Sequence, residues 1–368
     1  MVCGKVNFSN LSRYSDLSEK TYRRQFEKSF DFLRLNLSVI ASASEPDAQL
    51  LAVMDGSFIR KSGKKTFGLD WYYNGSASRA EKGLEVSLIA VVNVETEQSY
   101  ALSVEQTCNQ ADFPELTRMD QALDPLKQVQ PSLPAQVRYL AVDGAYAKEK
   151  FVTGVRQLKL HVLSKLRRDA NLRYRFEGKQ KPRGRPRSYA DKVDLSNPSE
   201  MTFVENLQPS IALYTAVVWH VSLKCWIRLA YLHDTRQLHH PKFILLFSSD
   251  IEQCPTQIVH LYHLRFQIEF LFRDSKQSLG LEDCQSRTAK KLDFHFNASL
   301  AALNLAKLHA WQNRDLNQPF IFSMASLKRR ALNDFLLDTF ISKLALSPDV
   351  IKSHPNYEAL RAHGVIAA

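Results

Sequence analysis

The segment from residue 254 to residue 279 constrains the fold most, because its polar and apolar residues recur with helical spacing. At about 100° of rotation per residue, one arc of about 60° holds four polar side chains, Tyr262, Arg265, Glu269 and Lys276. A neighbouring arc holds the apolar side chains Leu261, Leu264, Ile268, Leu271, Phe272 and Leu279. Such a helix packs on its apolar side and presents an acid flanked by cations on the other. A solvated helix stabilised by a pair four residues apart is the alternative.

Two short apolar runs, each ending in Asp-Gly, predict buried strands with an aspartate at the C-terminal tip. They are Gln49-Leu-Leu-Ala-Val-Met-Asp55 and Val137-Arg-Tyr-Leu-Ala-Val-Asp143. Because strand ends of an open α/β sheet border the ligand crevice, Asp55 and Asp143 are expected to meet Glu269 there. Three neighbouring carboxylates need a neutralising cation, and Mg²⁺ or Mn²⁺ prefers oxygen ligands. Each Asp-Gly taken alone is equally a turn that follows a strand.

The order of these acids resembles a known family. An aspartate, a second aspartate and a glutamate inside Tyr-x2-Arg-x3-Glu-x6-Lys resemble the DDE transposases of bacterial insertion sequences, in particular the IS-four-type group with the Y-R-E-K signature. The blocks Met54-Asp-Gly-Ser-Phe, Lys61-Ser-Gly-Lys-Lys-Thr and Ala141-Val-Asp-Gly-Ala-Tyr-Ala-Lys are similar as well. The resemblance covers about residues 46–315. It implies an α/β fold with a ribonuclease-H-like mixed sheet flanked by helices, a β-rich insertion before the last acid, and helical terminal segments.

The resemblance also implies a function. The expected activity is that of a DNA transposase, which cleaves double-stranded DNA at element ends and transfers the strands into target DNA as a homodimer. Asp55, Asp143 and Glu269 are then the catalytic residues and hold two Mg²⁺ or Mn²⁺ ions. Predicted DNA contacts come from Tyr262, Arg265, Lys276, Arg273, Lys64, Lys65, Arg183, Arg185 and Arg187. Two other hypotheses remain open: an inactive, domesticated DNA-binding protein, and a metal-dependent nuclease without strand transfer.

Composition agrees with a DNA-binding protein. The 368 residues include 49 Lys and Arg against 38 Asp and Glu, a net charge of +11, which favours a polyanionic partner. No apolar run approaches the roughly 18 residues of a membrane span, so a cytoplasmic, nucleoid-associated protein is expected. The five cysteines form no Cys-x-x-Cys pair, which indicates neither a disulfide framework nor a zinc site.

Positive charge is concentrated between Lys165 and Arg187, where ten cations face two acids, a local balance of +8. The end of this segment, Lys181-Pro-Arg-Gly-Arg-Pro-Arg187, is similar to an AT-hook, whose arginines enter a narrow minor groove. A solvated basic loop without groove specificity is an equally good interpretation. In either case the segment is expected to be exposed and to contact phosphate.

The coarse pattern predicts five regions. They are an N-terminal helical segment over 1–45, a first part of the catalytic core over 46–168, a basic loop and β-rich insertion over 169–241, a last part of the core with the signature helix over 242–315, and a C-terminal helical region over 316–368. Two tryptophans of the insertion, Trp219 and Trp226, are expected to pack in the core. Stacking on a displaced nucleotide is their alternative role.

Overall fold

The computed structural model describes residues 4–109, 111–180, 183–184, 186–236, 242–315, 317 and 320–366. Over these ranges a mixed sheet of twelve strands carries helices on both faces. The predicted α/β class, with a mixed sheet flanked by helices, is therefore confirmed.

The strands run in chain order as β1 Leu50–Arg60, β2 Asp70–Asn74, β3 Arg79–Asn93, β4 Ser99–Gln106, β5 Tyr139–Val142, β6 His161–Leu166, β7 Leu172–Arg175, β8 Tyr189–Lys192, β9 Thr202–Gln208, β10 Ile211–His220, β11 Cys225–Asp234 and β12 Lys242–Ser248. The helices are α1 Phe8–Leu11, α2 Glu19–Gln25, α3 Phe32–Ser42, α4 Arg118–Val129, α5 Glu149–Gln157, α6 Pro255–Leu264, α7 Gln267–Ser278, α8 Ala289–Gln312, α9 Met324–Lys343, α10 Pro348–Lys352 and α11 Tyr357–Arg361.

Three parallel strands, β1, β5 and β6, occupy the middle of the sheet. Met54 pairs with Val142, and Tyr139 pairs with His161. The apolar runs of β1 and β5 are almost fully buried. Continuous apolar runs are expected of parallel strands, because helices cover both faces of such a sheet. The apolar runs identified in the sequence therefore form the centre of the sheet.

An antiparallel hairpin of β3 and β4 extends one side of this centre. β1 pairs with β3 over the whole length of β1, from Leu50 opposite Asn93 to Arg60 opposite Gly83. The β-prone runs 84–94 and 99–107, joined by the polar residues 95–98, predict this hairpin, and the structure confirms it. β2, which pairs with the first part of β3, was not predicted, because five residues ending in polar side chains give no apolar run.

The strands of the predicted insertion continue the same sheet. β12 pairs with β6 on one side and with β11 on the other, and β10, β7 and β8 follow outward. The β-prone runs 211–218 and 223–232 predict two strands in the insertion, and these correspond to β10 and β11. The division into five regions remains a prediction.

Each face of the sheet has its own apolar core. One core packs α3, α4 and α5 against the sheet, and the other packs α6, α7 and α8. Buried side chains such as Ile268 and Leu271 each stabilise the fold by about 1.5–3 kcal/mol. The helices that carry the signature segment are therefore fixed to the sheet.

A buried polar network ties α8 to the edge of the hairpin. The Asn304 amide donates to the Ala101 carbonyl at 2.7 Å and to Asn36 Oδ1 at 2.9 Å, and its oxygen accepts from the Ala101 amide. One turn later, Lys307 Nζ donates to the Ser99 carbonyl at 2.6 Å. Burial lowers the pKa of Lys307 to about 8. The folded chain thus disfavours the charged ammonium.

We expect stability to depend on the protonation of Lys307. Its unfolded pKa is about 10.4, so the unfolded chain binds more protons than the folded chain between about pH 8 and 10. This group should therefore raise the free energy of unfolding, by on the order of 2 kcal/mol, as the pH increases through that window. Urea unfolding at several pH values should show a larger rise in the wild type than in Lys307→Met. Lys343 is exposed, so Lys343→Met is the control and should show the same rise in the free energy of unfolding as the wild type.

Candidate functional site

Asp55 lies inside β1 and not at its end. The strand continues to Arg60, and Gly56 pairs with Ser87 of β3, so both the predicted strand tip and the alternative turn are wrong here. The reason is that β3 accompanies β1 along its full length, whereas the pairing with β5 stops at Met54. Asp55 is therefore the first residue of β1 beyond its parallel neighbour.

Asp143 follows the last residue of β5, as predicted. Because Met54 pairs with Val142, the two aspartates come directly after paired residues on adjacent strands. Asp143 is exposed and begins a tight turn over Gly144–Tyr146. A Cβ on Gly144 would lie 3.0 Å from the Lys165 carbonyl oxygen, so this turn needs a glycine to approach β6.

The signature segment forms two helices and not one. α6 ends at Leu264 and α7 begins at Gln267, so the predicted single helix over 254–279 is wrong at its middle. At the junction the amides of Arg265 and Phe266 donate to carbonyls three residues earlier, which tightens the turn. The predicted apolar side remains: Leu261, Leu264, Ile268, Leu271 and Phe272 are buried.

Arg265, at this junction, connects two of the predicted acids. Its Nη1 lies 2.9 Å from Asp55 Oδ2, and its Nη2 lies 3.1 Å from Glu269 Oε1. The guanidinium is only 14% exposed and lies over the Tyr262 ring. The ordinary pair of Arg265 and Glu269 is thus present, but the same cation also reaches across to β1.

Asp55, Asp143 and Glu269 form an acidic crevice, and this environment changes the titration of Asp55. Its pKa is raised to about 6, chiefly by burial and in smaller part by the neighbouring carboxylates of Asp143 and Glu269. The Arg265 guanidinium and the Gly56 amide oppose this effect. Glu269 lies in the first turn of α7, where the helix dipole favours a negative charge. The crevice therefore holds more negative charge than Arg265 alone balances.

The carboxylates are not arranged as a finished metal centre. Within the ranges given above, no three His, Cys, Asp or Glu side chains are placed so as to hold a metal ion. Arg265 stands between Asp55 and Glu269. The donors nevertheless have the chemistry that Mg²⁺ or Mn²⁺ prefers, since Asp55 and Asp143 are adjacent carboxylates with unbalanced charge. Glu269 is 45% exposed, so its side chain is free to turn from Arg265.

The remaining signature residue, Lys276, lies beside the same acidic crevice. Lys276 donates to the Phe58 carbonyl at 2.7 Å and lies 3.6 Å from Glu282. Together with Asp55 and Glu269, Lys276 lines a cavity that we call the groove. Burial lowers the pKa of Lys276. The structure therefore brings the four signature residues and Asp55 together.

The other predicted DNA contacts are distributed over several parts of the fold. Arg273 of α7 is exposed beside Phe270 and also lines the groove. Lys64 and Lys65 are exposed in the connection between β1 and β2. Among the three arginines of the AT-hook-like run, Arg183 and Arg187 are exposed, and Arg185 lies outside the described residues.

The basic segment is partly ordered into strands, so the prediction of an exposed strap over its whole length is wrong. Its first residues belong to β6, and β7 pairs with β8 as a hairpin at the end of the sheet opposite β2. The Arg187 amide donates to Gln180 Oε1 at 2.8 Å, and its guanidinium lies over the Phe176 ring. Arg187 is therefore held against the hairpin connection, away from Asp55.

Trp219 and Trp226 are cross-strand partners on β10 and β11. Their ring centroids are 5.5 Å apart, and Tyr189 of β8 lies 5.1 Å from Trp219. Both tryptophans are partly exposed, so the expected core packing is only partly observed.

A second cavity, which shares Asp55 with the groove but does not include Glu269, had not been predicted. It is lined by Asp55 and Asp143 and also by Glu85, Arg118 and Tyr146, among others. The Glu85 carboxylate pairs with Arg118 and accepts from the Thr107 hydroxyl. Burial raises the pKa of Tyr146. Tyr146 belongs to the block around Asp143, which was the one available signal.

One of the comparisons with known proteins shows the family of this chain. A family model described as "Transposase DDE domain" matches residues 47–305, well over half of the chain. The chain belongs to this family, and membership implies transposase function. No curated protein matches the chain.

A solved structure of endonuclease V from Bacillus subtilis is 12% identical, with 78% of this chain and 97% of that chain covered. Its TM-score of 0.28 supports no conclusion about this chain. Separately, no helix among the described residues is long and apolar enough to cross a membrane.

We expect divalent cations to stabilise the protein in a pH-dependent manner. Protons compete with metal for Asp55, so the increase in melting temperature caused by Mn²⁺ should be lost as the pH falls below about 6, with affinity decreasing up to tenfold per pH unit. Arg265→Gln removes a cation that lowers the Asp55 pKa, so the transition should move to higher pH. Asp55→Asn should abolish the effect. An equal Mn²⁺ effect at pH 5 and pH 7.5 would contradict this prediction.

Proposed function

We propose that this transposase is a metal-dependent enzyme that cuts an insertion sequence out of DNA and joins its ends to target DNA. We also assign it to the IS-four-type group with the Y-R-E-K signature. The observation that carries the proposal is the meeting of two strand-borne aspartates with the Arg265–Glu269 pair of the signature segment. Residues distant in sequence thereby form one acidic crevice.

The strand order supports a ribonuclease-H-like core. β1, β3 and β4 are antiparallel, α4 leads to β5, and α5 leads to β6, with β5 and β6 parallel to β1. The resulting order of strand, hairpin, helix, strand, helix and strand is the order of a ribonuclease-H-like core. The placement of helices on both faces fits the same core.

Asp55, Asp143 and Glu269 are the residues that would hold the metal ions in this proposal. Two bound ions would activate a water or a 3′-hydroxyl and stabilise the leaving oxygen of an in-line displacement. The chain itself orients the reacting groups. β1 and β5 fix the two aspartates, and Arg265 holds Asp55 and Glu269 in place until the site is loaded.

The cations of the groove act on the DNA backbone. Lys276 and Arg273 line the groove beside Glu269, where they would neutralise phosphates next to the scissile one. Tyr262 supports Arg265 through its ring. Assembly as a homodimer on element ends and target DNA belongs to the same proposal.

We expect Asp55→Asn, Asp143→Asn and Glu269→Gln each to reduce DNA cleavage at least about a hundredfold, because each removes a metal ligand. DNA affinity should change little, since the cations that bind phosphate remain. Cleavage and joining of DNA that carries the terminal repeats flanking the gene are the measurements. Asp47→Asn is the matched control, because Asp47 is exposed before the opposite end of β1.

The outcomes separate the three hypotheses. Cleavage and joining of a pre-cut end support a transposase, whereas cleavage without joining indicates a nuclease. DNA binding without either reaction in the wild type indicates an inactive copy. More than about a tenth of wild-type cleavage in any of the three acid variants, a loss below about 1.4 kcal/mol, would contradict the assigned triad.

The basic hairpin connection should supply affinity and not catalysis. Replacing Lys179, Arg183 and Arg187 by Ala should lower the slope of log affinity against log salt by about 0.9 for each phosphate that is no longer neutralised. Cleavage at saturating DNA should persist, because the hairpin lies at the far end of the sheet from Asp55. Competition between A·T-rich and G·C-rich duplexes, repeated with Arg183→Ala and Arg185→Ala, tests minor-groove insertion. A collapse of cleavage at saturation would overturn this assignment.

A further inference from the structure

Two large aromatic side chains of β2 are exposed beside the candidate site. Trp71 is 65% exposed and Tyr73 is 64% exposed, while the alternating residues Tyr72 and Asn74 are buried. Because strand side chains alternate, the two rings share one face and are about 7 Å apart along the strand. Leaving this much aromatic surface in water forfeits burial, so an exposed pair of rings marks a binding surface.

The backbone that carries these rings is held firmly. Tyr72 donates its hydroxyl to the carbonyls of Gly68 and Thr107, both at 3.1 Å. Asn74 donates to Glu81 Oε2 at 2.8 Å, and β2 pairs with β3 along its length. In the part of the chain that the structure describes, neither Trp71 nor Tyr73 has an aromatic or cationic partner on its ring. The backbone of β2 is thus held in place, while the two rings on its exposed face are open to a ligand.

Tyr73 also marks the boundary of the catalytic crevice. It lines the cavity that contains Asp55 and Asp143. It also lines the groove that contains Asp55, Glu269 and Lys276, together with its neighbour Asn74. The ring face therefore begins where the acidic crevice ends.

The charges around the rings suit a polyanion. Lys82 is exposed and pairs directly with Trp71, so its side chain lies on the same face. Arg60 and Arg273 line the groove that Tyr73 borders. Of the acids near β2, Glu81 pairs with Arg79, Glu282 lies 3.6 Å from Lys276, and Asp70 accepts from the Trp71 amide. Ala80, opposite Tyr73, adds no bulk beside that ring.

We propose that Trp71, Tyr73 and Lys82, the β2 aromatic face, bind unpaired nucleobases of the DNA strand whose scissile phosphate lies at Asp55. A duplex hides the faces of its bases, so stacking on these rings requires nucleotides that have left the duplex. Stacking accepts any base, because each presents a π-face, and the adjacent cations follow the backbone. This inference rests on the proposed function, since it takes DNA as the substrate.

The test compares unpaired and duplex DNA. Fluorescence anisotropy, without divalent metal, measures the affinity for a labelled thymine oligonucleotide and for a duplex of the same length. Trp71→Ala and Tyr73→Ala should each weaken binding to the oligonucleotide about tenfold and binding to the duplex less than about twofold. Trp71→Phe and Tyr73→Phe should restore most of the affinity, because they keep an aromatic face. Phe203→Ala, at an exposed ring on β9, is the matched control and should have no effect.

Other outcomes overturn the inference. Equal losses for both DNAs would mean that the substitutions weaken DNA binding in general or disturb folding, and melting temperatures distinguish these two causes. Unchanged oligonucleotide affinity together with an altered oligomeric state would mean that a protein surface covers the rings. If the wild type binds neither DNA and cuts none, the proposed function itself fails. If the wild type binds and cuts DNA but the variants bind the oligonucleotide as tightly as the wild type, the proposed function stands and only this inference is overturned.

Discussion

The parallel pairing of β1 with β5 determines the positions of the two aspartates in the candidate site. Pairing of Met54 with Val142 places Asp55 and Asp143 side by side, although 87 residues separate them in the chain. Since β3 continues along β1 while β5 stops, Asp55 stays within the sheet and Asp143 leaves it. One aspartate is consequently mostly buried and the other exposed, which is why the pKa of Asp55 in particular rises.

The break between α6 and α7 provides the second constraint. A continuous helix would present Arg265 and Glu269 on one face, but the tight turn also directs the guanidinium toward Asp55. One cation then balances part of the charge of three acids. The remaining negative charge is the physical basis of the proposed divalent-cation site, where bound cations would replace Arg265 as the partner of Asp55 and Glu269.

Several features of the site had no signal in the sequence. β2 is a short strand without an apolar run, yet it carries the two exposed rings at the edge of the crevice. Glu85 and Arg118 come from β3 and α4, and only pairing of β3 with β1 brings them beside Asp55. The break at Arg265 was likewise hidden, because both flanking helices keep the same apolar spacing. Local patterns describe which side of an element is buried, but not which elements become neighbours.

The sequence by itself determined the main elements and the candidate acids. Apolar runs predict β1, β5 and β6, and the helical spacing of the signature segment predicts its buried side, because burial of apolar surface imposes these periods on any chain that folds. Tertiary structure decided what the polar groups do. Strand register set which carboxylates are adjacent, burial set the pKa of Asp55, and the turn at Arg265 set its partners. These quantities depend on distances between segments remote in sequence, and electrostatic interactions follow such distances and not the order of residues.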